Sequence, residues 1–249
     1  MEDFEGNRVN YISIKEAFSI DNLCDFVMSV PGPRIVVANT VLTAAVLANR
    51  FRVKLGRNRV MHISTALSPN DRGKVYNNIV EKLDDKNDDD WVLVATSCVD
   101  TGVNFSFRSG FRESCSSMSI IQLGGRVNRN GEYEECCNVY DFKIDHENEI
   151  TTNNPAFNAS ISVLNTMFVD NKNNYTDCTE AMRREIQEKN TVLDEIEQFE
   201  NMLNLFEVAK KYRLISMFYH SVVVNSDVIE KIGNEEIISF KELPLSFKI

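Results

Sequence analysis

The chain has 249 residues, 43% of them hydrophobic and 26% charged, and a formal net charge of −10. That length suits one large domain, or one domain with an appendage, and the composition can fill a buried core. No run of about 18 apolar residues occurs, which excludes a membrane-spanning helix, and the acidic balance argues against indiscriminate nucleic-acid binding while leaving room for a local basic groove.

The first residues, Met1-Glu-Asp-Phe-Glu-Gly6, are acidic and lack an apolar run. They are therefore not expected to be a secretory signal, and a cytoplasmic location is expected. Helical spacing of Ala17, Phe18, Leu23, Phe26 and Val27 predicts a helix over 15–29, stopped by Pro31-Gly32-Pro33. Arg34 to Ala38 is a short β-branched run and reads as a buried strand. Asn39 or Thr40 can cap the next helix, roughly 41–54. The pattern then repeats. Val60 to Ser64 is a strand, and Ser68-Pro69 opens a helix that runs to Leu83. A polar, acidic loop covers 84–90, and Trp91 to Thr96 is the most apolar strand. Ser119 to Val127 suits a short helix, and Val139 to Phe142 a closing strand. Strands alternating with helices at this spacing predict an α/β fold with a parallel sheet, whose ligands sit at the carboxyl ends of the strands.

The composition changes after about residue 145. Segments 146–154 and 170–177 are rich in Asn, Thr and Asp, while 155–168 and 178–214 have helical patterns. In the longer of these, Ile186, Leu193, Ile196, Phe199, Leu203 and Phe206 share one face. The end, 215–249, reads as strands and turns. Three parts are expected: a lead-in helix over 1–30, the α/β body over 31–145, and a mostly helical appendage over 146–249.

The sharpest chemical signal is Gln122-Leu-Gly-Gly-Arg126-Val-Asn-Arg129-Asn-Gly131. On a helix, two arginines three apart lie on one face. A planar, permanently charged guanidinium suits a phosphate whose charge grows in a transition state. Gly124 and Gly125 remove side chains, so another backbone or a nucleotide can come close. The second signal is Val94-Ala-Thr96-Ser-Cys-Val-Asp100-Thr-Gly102-Val-Asn104. Here a strand ends at a threonine whose hydroxyl, with nearby backbone N–H groups, can hold a backbone phosphate. Arg50, Arg52, Lys54, Arg57 and Arg59 form a basic cluster. It reads either as a patch for DNA or an acidic partner, or as the exposed end of a helix, and the second reading is favoured. The six cysteines include no C-x-x-C pair, so neither a zinc site nor a disulfide framework fits their spacing.

In this order the two signals resemble motifs V and VI of superfamily-two helicases. Val36-Val-Ala-Asn39-Thr40 resembles the segment that opens the second RecA-like domain of those proteins. His62-Ile-Ser64, followed by Ser68-Pro69-Asn-Asp71-Arg72, is similar to the next stretch. The V-D-T-G-V run and the G-R-V-N-R-N-G ending are closest to the helicase–nuclease of type I CRISPR systems. Asn154-Pro155-Ala156 and the stretch from Phe206 to Ile215 resemble its C-terminal region. Three departures stand out. Asn104 replaces the usual acidic residue after G-V, and Gln122-Leu123 replaces a Gln-Arg pair. The sequence also has no G-x-x-x-x-G-K-[ST] phosphate cradle. Asp194-Glu195-Ile-Glu197 has the lettering of a magnesium box but falls inside the long amphipathic helix. Only His62, His146 and His220 are available, too few for the family's nuclease metals.

The resemblance implies a RecA-like parallel sheet flanked by helices and followed by a mostly helical appendage. It implies the second half of an ATP-dependent DNA helicase of CRISPR interference, inactive without the first RecA-like domain, which would bind most of the ATP and Mg2+. Arg126 and Arg129 would be arginine fingers. Gln122, Gly102, Asn104 and Gly125 would approach ATP. Asn39, Thr40, Ser64 and Thr96 would contact single-stranded DNA. Further partners would be the nuclease domain and a CRISPR surveillance complex, with no membrane. Two alternatives stay open: a non-catalytic RecA-like assembly module, and the second half of a superfamily-two helicase outside CRISPR.

Overall fold

Ser19, Thr40, Ser68 and Ser116 each leave an extended conformation or its border and accept a backbone N–H from three residues ahead. Each satisfies one donor that a helix start leaves orphaned. Helices follow directly: α1 (Ile20–Ser29), α2 (Val41–Leu55), α3 (Pro69–Asp84) and α4 (Ser117–Gly124). The computed structural model describes residues 8–85, 87–100, 102, 104–146, 150–172, 177–211, 221–222, 226–234 and 247–248.

Six strands form one sheet: β1 (Val9–Phe18), β2 (Arg34–Val37), β3 (Val60–Ile63), β4 (Val92–Ala95), β5 (Ser109–Glu113) and β6 (Cys137–Ile144). Their order is β1-β6-β5-β2-β4-β3, and every neighbouring pair is parallel. β2 and β4 are buried along their whole length, as expected of central strands covered on both faces. One face carries Ile35, Val37, Leu93 and Ala95 against Ile79 of α3 and Ile120 and Leu123 of α4. The other carries Val36, Val92, Val94 and Phe111 against Leu23 and Val27 of α1 and Leu47 and Phe51 of α2.

The RecA-like, parallel α/β architecture is as the sequence predicts, with three differences. Residues 9–18 are a strand paired with β6, so the expected 15–29 helix starts only at Ile20. β5 was not anticipated, because it reads Ser-Gly-Phe-Arg-Glu. The helix expected over 119–127 stops at Gly124.

From β2 the chain moves toward the β3 edge, and from β5 toward the β1 edge. The helices that follow these two adjacent strands pack on opposite faces. Their carboxyl ends therefore flank a topological switch point, where open α/β sheets form a ligand crevice.

After β6 come α5 (Asn158–Val169) and α6 (Cys178–Asn201). The chain divides into two units, 1–190 and 191–249. In the second, the end of α6 is followed by α7 (Leu205–Lys211), a two-residue strand β7 (Ser221–Val222), α8 (Ser226–Gly233) and β8 (Phe247–Lys248). β7 and β8 pair antiparallel. Leu203 and Phe206 of the expected apolar face are exposed, whereas Ile196 is buried. The stretch from 212 to 215 lies outside the described residues. Among the described residues no helix is long and apolar enough to cross a membrane.

Candidate functional site

The two segments singled out above, 94–104 and 122–131, are joined edge to edge. Phe107 and Val127 form a parallel bridge. The Phe107 N–H donates to the Arg126 carbonyl at 2.8 Å, and the Asn128 N–H donates to the Phe107 carbonyl at 2.8 Å. The Arg129 N–H donates to Ser106 Oγ at 3.1 Å. Asn104 and Asn130 line one small cavity of about 210 Å3.

This pairing corrects the expected helical placement of the arginines. α4 ends at Gly124, and Gly125 is its C-terminal cap. Two glycines in succession weaken the helix, and the backbone beyond them bonds to 106–107 instead. Buried Arg8 fixes the exit by donating to the carbonyls of Gly124 and Val127. Asn128 adopts φ 45°, a conformation asparagine tolerates better than most residues. Its side chain both donates to and accepts from the backbone of Tyr133.

Arg126 and Arg129 are still brought near each other. Arg126 is half-buried; its Nε donates to the Val99 carbonyl at 3.2 Å and its Nη2 to the Asp100 carbonyl at 2.9 Å. Arg129 is exposed. Burial, and then the neighbouring charge of Arg129, shift the Arg126 pKa downward, against a pull from Asp100. The Asp100 carboxyl is shifted upward by burial, opposed by Arg112 and Arg126. Asp100 Oδ1 is buried and has no hydrogen-bond partner among the described residues. Two cations and one hidden carboxylate thus meet where the two segments join. An anionic group such as a nucleotide phosphate fits that charge distribution.

The remaining candidates divide by position. Gly102, at φ 77°, and Asn104 are exposed beyond β4, while Gln122 and Gly125 are half-buried around the end of α4. Thr101 and Val103 lie outside the described residues. Asn39 and Thr40 are half-buried at the carboxyl end of β2. Thr40 Oγ1 accepts from the Thr43 N–H as the α2 cap. Asn39 donates its backbone N–H to Glu113 Oε2 at 2.7 Å and its side-chain amide to the Ser114 carbonyl at 2.8 Å. Ser64 and Thr96 also sit just past strand ends, but they are 0% and 5% exposed. The expectation that their side chains stand open to a ligand is therefore corrected. Both belong to the enclosed rim of the sheet, and Ser64 Oγ has no hydrogen-bond partner among the described residues.

Within the basic cluster, Arg50 pairs with Asp21, Lys54 with Asp21 and Asp25, and Arg59 with Asp90. These pairs tie α2 to α1, and the turn at 57–59 to the loop before β4. Arg52 and Arg57 instead line a cavity of about 510 Å3 beside edge strand β3.

Sequence reasoning missed Arg112 and Glu113, 2% and 4% exposed at the end of β5. Arg112 Nη1 donates to the Val37 carbonyl at 3.0 Å. The available signal was two opposite charges ending an otherwise small, apolar segment.

Residues 32–132 match the family model described as CRISPR-associated nuclease/helicase Cas3, C-terminal. This segment is therefore similar to the C-terminal part of that family. Solved structures share the fold of the parallel sheet and its flanking helices. T. fusca Cas3 with ADP is similar at TM-score 0.58 and 11% identity, over 84% of this chain and 27% of that one. T. fusca Cas3 with AMPPNP gives TM-score 0.56 and 13% identity, over 82% and 26%. A CRISPR RNA-guided surveillance complex, in a pre-nicking state, gives 0.52 and 10%, over 82% and 27%. The chain thus spans about a quarter of the length of the structures it matches. No curated protein matches it.

Proposed function

We propose that the Cas3-like chain is the second RecA-like half of an ATP-dependent DNA helicase of type I CRISPR interference. The observation that carries this reading is the joining of 94–107 to 122–131, which brings Arg126 and Arg129 together beside the segment that follows β4. In this reading 31–145 is most of the RecA-like body, 1–30 is a lead-in that supplies that body's edge strand β1 and helix α1, and 146–249 is an accessory region. ATP and Mg2+ are held mainly by a preceding RecA-like domain. Gln122, Gly102, Asn104 and Gly125 approach the nucleotide from this side, and Arg126 and Arg129 offset charge on its γ-phosphate. Bound nucleotide supplies the driving hydrolysis, while these residues orient and neutralise it. Asn39 and Thr40 hold the backbone of single-stranded DNA, with Ser64 and Thr96 forming the floor beneath them. A CRISPR surveillance complex delivers that strand.

An arginine finger acts on charge that exists fully only in the transition state, so its loss lowers turnover more than affinity. We expect Arg129→Ala, in the complete protein, to cut DNA-stimulated ATP hydrolysis by about 10³-fold or more, with ATP binding and thermal melting nearly intact. Normal hydrolysis by this variant would sink the catalytic role. A second reading, a non-catalytic assembly module, is favoured by the two carbonyls that already occupy Arg126. On that reading Arg126→Ala lowers stability and Arg129→Ala leaves hydrolysis unchanged.

A further inference from the structure

The crevice between β2 and β5 contains a continuous set of hydrogen bonds that runs across three strand ends. Glu113 Oε2 accepts the Asn39 N–H at 2.7 Å, and the Asn39 side chain donates to the Ser114 carbonyl at 2.8 Å. Ser114 Oγ donates to Asp141 Oδ1 of β6 at 2.8 Å. Glu113 Oε1 faces His146 Nε2 at 3.7 Å, and His146 Nδ1 lies 2.8 Å from Thr151 Oγ1. A cavity of about 510 Å3 opens beside these groups, lined also by Lys143 and Asn165.

Glu113 is 4% exposed, and a carboxylate so buried is unfavourable unless its hydrogen bonds are made. The bond it makes goes to the backbone of Asn39, on the far side of the switch point. Three residues after Glu113 comes Ser116, the cap of α4. α4 runs straight into the segment that carries Arg126 and Arg129. Glu113 therefore adjoins 39–40, where the proposed function puts the DNA strand, and is linked along the chain through α4 to 126–129, where it puts the nucleotide.

We infer that Glu113 is a positioning residue that couples them. Its carboxylate fixes the distance between the end of β2 and the start of α4, so a strand held at 39–40 sets the placement of the arginines. The inference rests on the helicase reading and touches no ligand itself. The rigid neighbours make such coupling feasible, since packed elements shift between discrete arrangements rather than deform freely.

The test uses the complete helicase with its first RecA-like domain and reads the ratio of ssDNA-stimulated to basal ATP hydrolysis. Glu113→Ala removes the acceptor, and Glu113→Asp keeps the charge but withdraws it by one methylene. Both should lower the ratio about tenfold. Glu113→Gln retains an oxygen that accepts the same N–H and should keep the ratio within about twofold of wild type. ssDNA affinity, measured without nucleotide, should change little in all three. Should Glu113→Ala fail to fold, the Asp and Gln variants decide between them. A wild-type ratio in Glu113→Asp overturns the coupling role alone, as does an equal loss in the Asp and Gln variants. A wild-type helicase whose hydrolysis ssDNA does not stimulate overturns the helicase reading and this inference with it.

Discussion

Asp141 shows how much a single side chain is held against its preference. It is 0% exposed, accepts from Ser114 Oγ at 2.8 Å and Ser13 Oγ at 3.3 Å, and has its carboxyl pushed up from 3.8 to about 6 by burial. A rise of about two pH units corresponds to about 3 kcal/mol between the two protonation states. For a carboxyl raised in the folded state, the stabilising contribution is fully present below the unfolded value. It is lost as pH rises through the folded one. At pH 8 the native state therefore holds a buried anion. Asp141→Asn removes that charge while keeping an acceptor for one serine. We expect the variant to be more stable than wild type at pH 8 by about 1–3 kcal/mol. The advantage should vanish by about pH 4. Urea melts at the two pH values check this; a variant less stable at pH 8 would show that the anion is needed. Asp100 and Glu113 shift in the same direction for the same cause, so wild-type stability should also rise on mild acidification.

Among the elements, α4 has its seat set by the absence of a side chain. A Cβ placed on Gly124 would come within 2.0 Å of the Tyr11 hydroxyl of β1 and 2.8 Å of its Cζ. Alanine there must displace the ring or lift the helix end, although it is the better helix former. We expect Gly124→Ala to destabilise the domain by about 1–3 kcal/mol and Tyr11→Ala to recover part of that loss in the double variant. Additive losses in a double-mutant cycle would disprove the contact. The same contact explains what the sequence could and could not disclose. β2, α2, β3, α3 and β4 were legible because each is decided locally, by an apolar run or by a cap such as Thr40 or Ser68. β1 and β5 were not, because their polar residues are satisfied by distant partners. Arg112 donates to Val37, and Glu113 accepts from Asn39. The residues of the candidate site were readable as a motif, but their geometry was not. The end of α4 is set by pairing with Phe107, about 20 residues upstream, and the enclosure of Ser64 and Thr96 belongs to the tertiary packing, which no local pattern encodes.

For the whole molecule, the decisive quantity under the proposed function is how much of a nucleotide site this chain presents. The joined segments offer two guanidinium groups, an exposed Gly102 and a few amides. They offer no glycine-rich phosphate cradle with its lysine, and the net charge of −10 gives no long-range attraction for ATP. In phosphoryl-transfer sites the cradle and the metal ions carry most of the ground-state affinity, whereas arginine fingers act on the transition state. The chain by itself should therefore bind ATP no more tightly than the millimolar range, about −4 kcal/mol, and should not hydrolyse it. Adding the matching first RecA-like domain should restore hydrolysis, and Arg129→Ala in this chain should abolish that restoration. Calorimetry on the chain alone, followed by an ATPase assay of the mixture, separates the outcomes. Micromolar ATP binding by the isolated chain would place a complete nucleotide site within these 249 residues and refute the division of labour. Restoration that persists with Arg129→Ala would leave the division standing but move the finger elsewhere, with Arg126 the next residue to test.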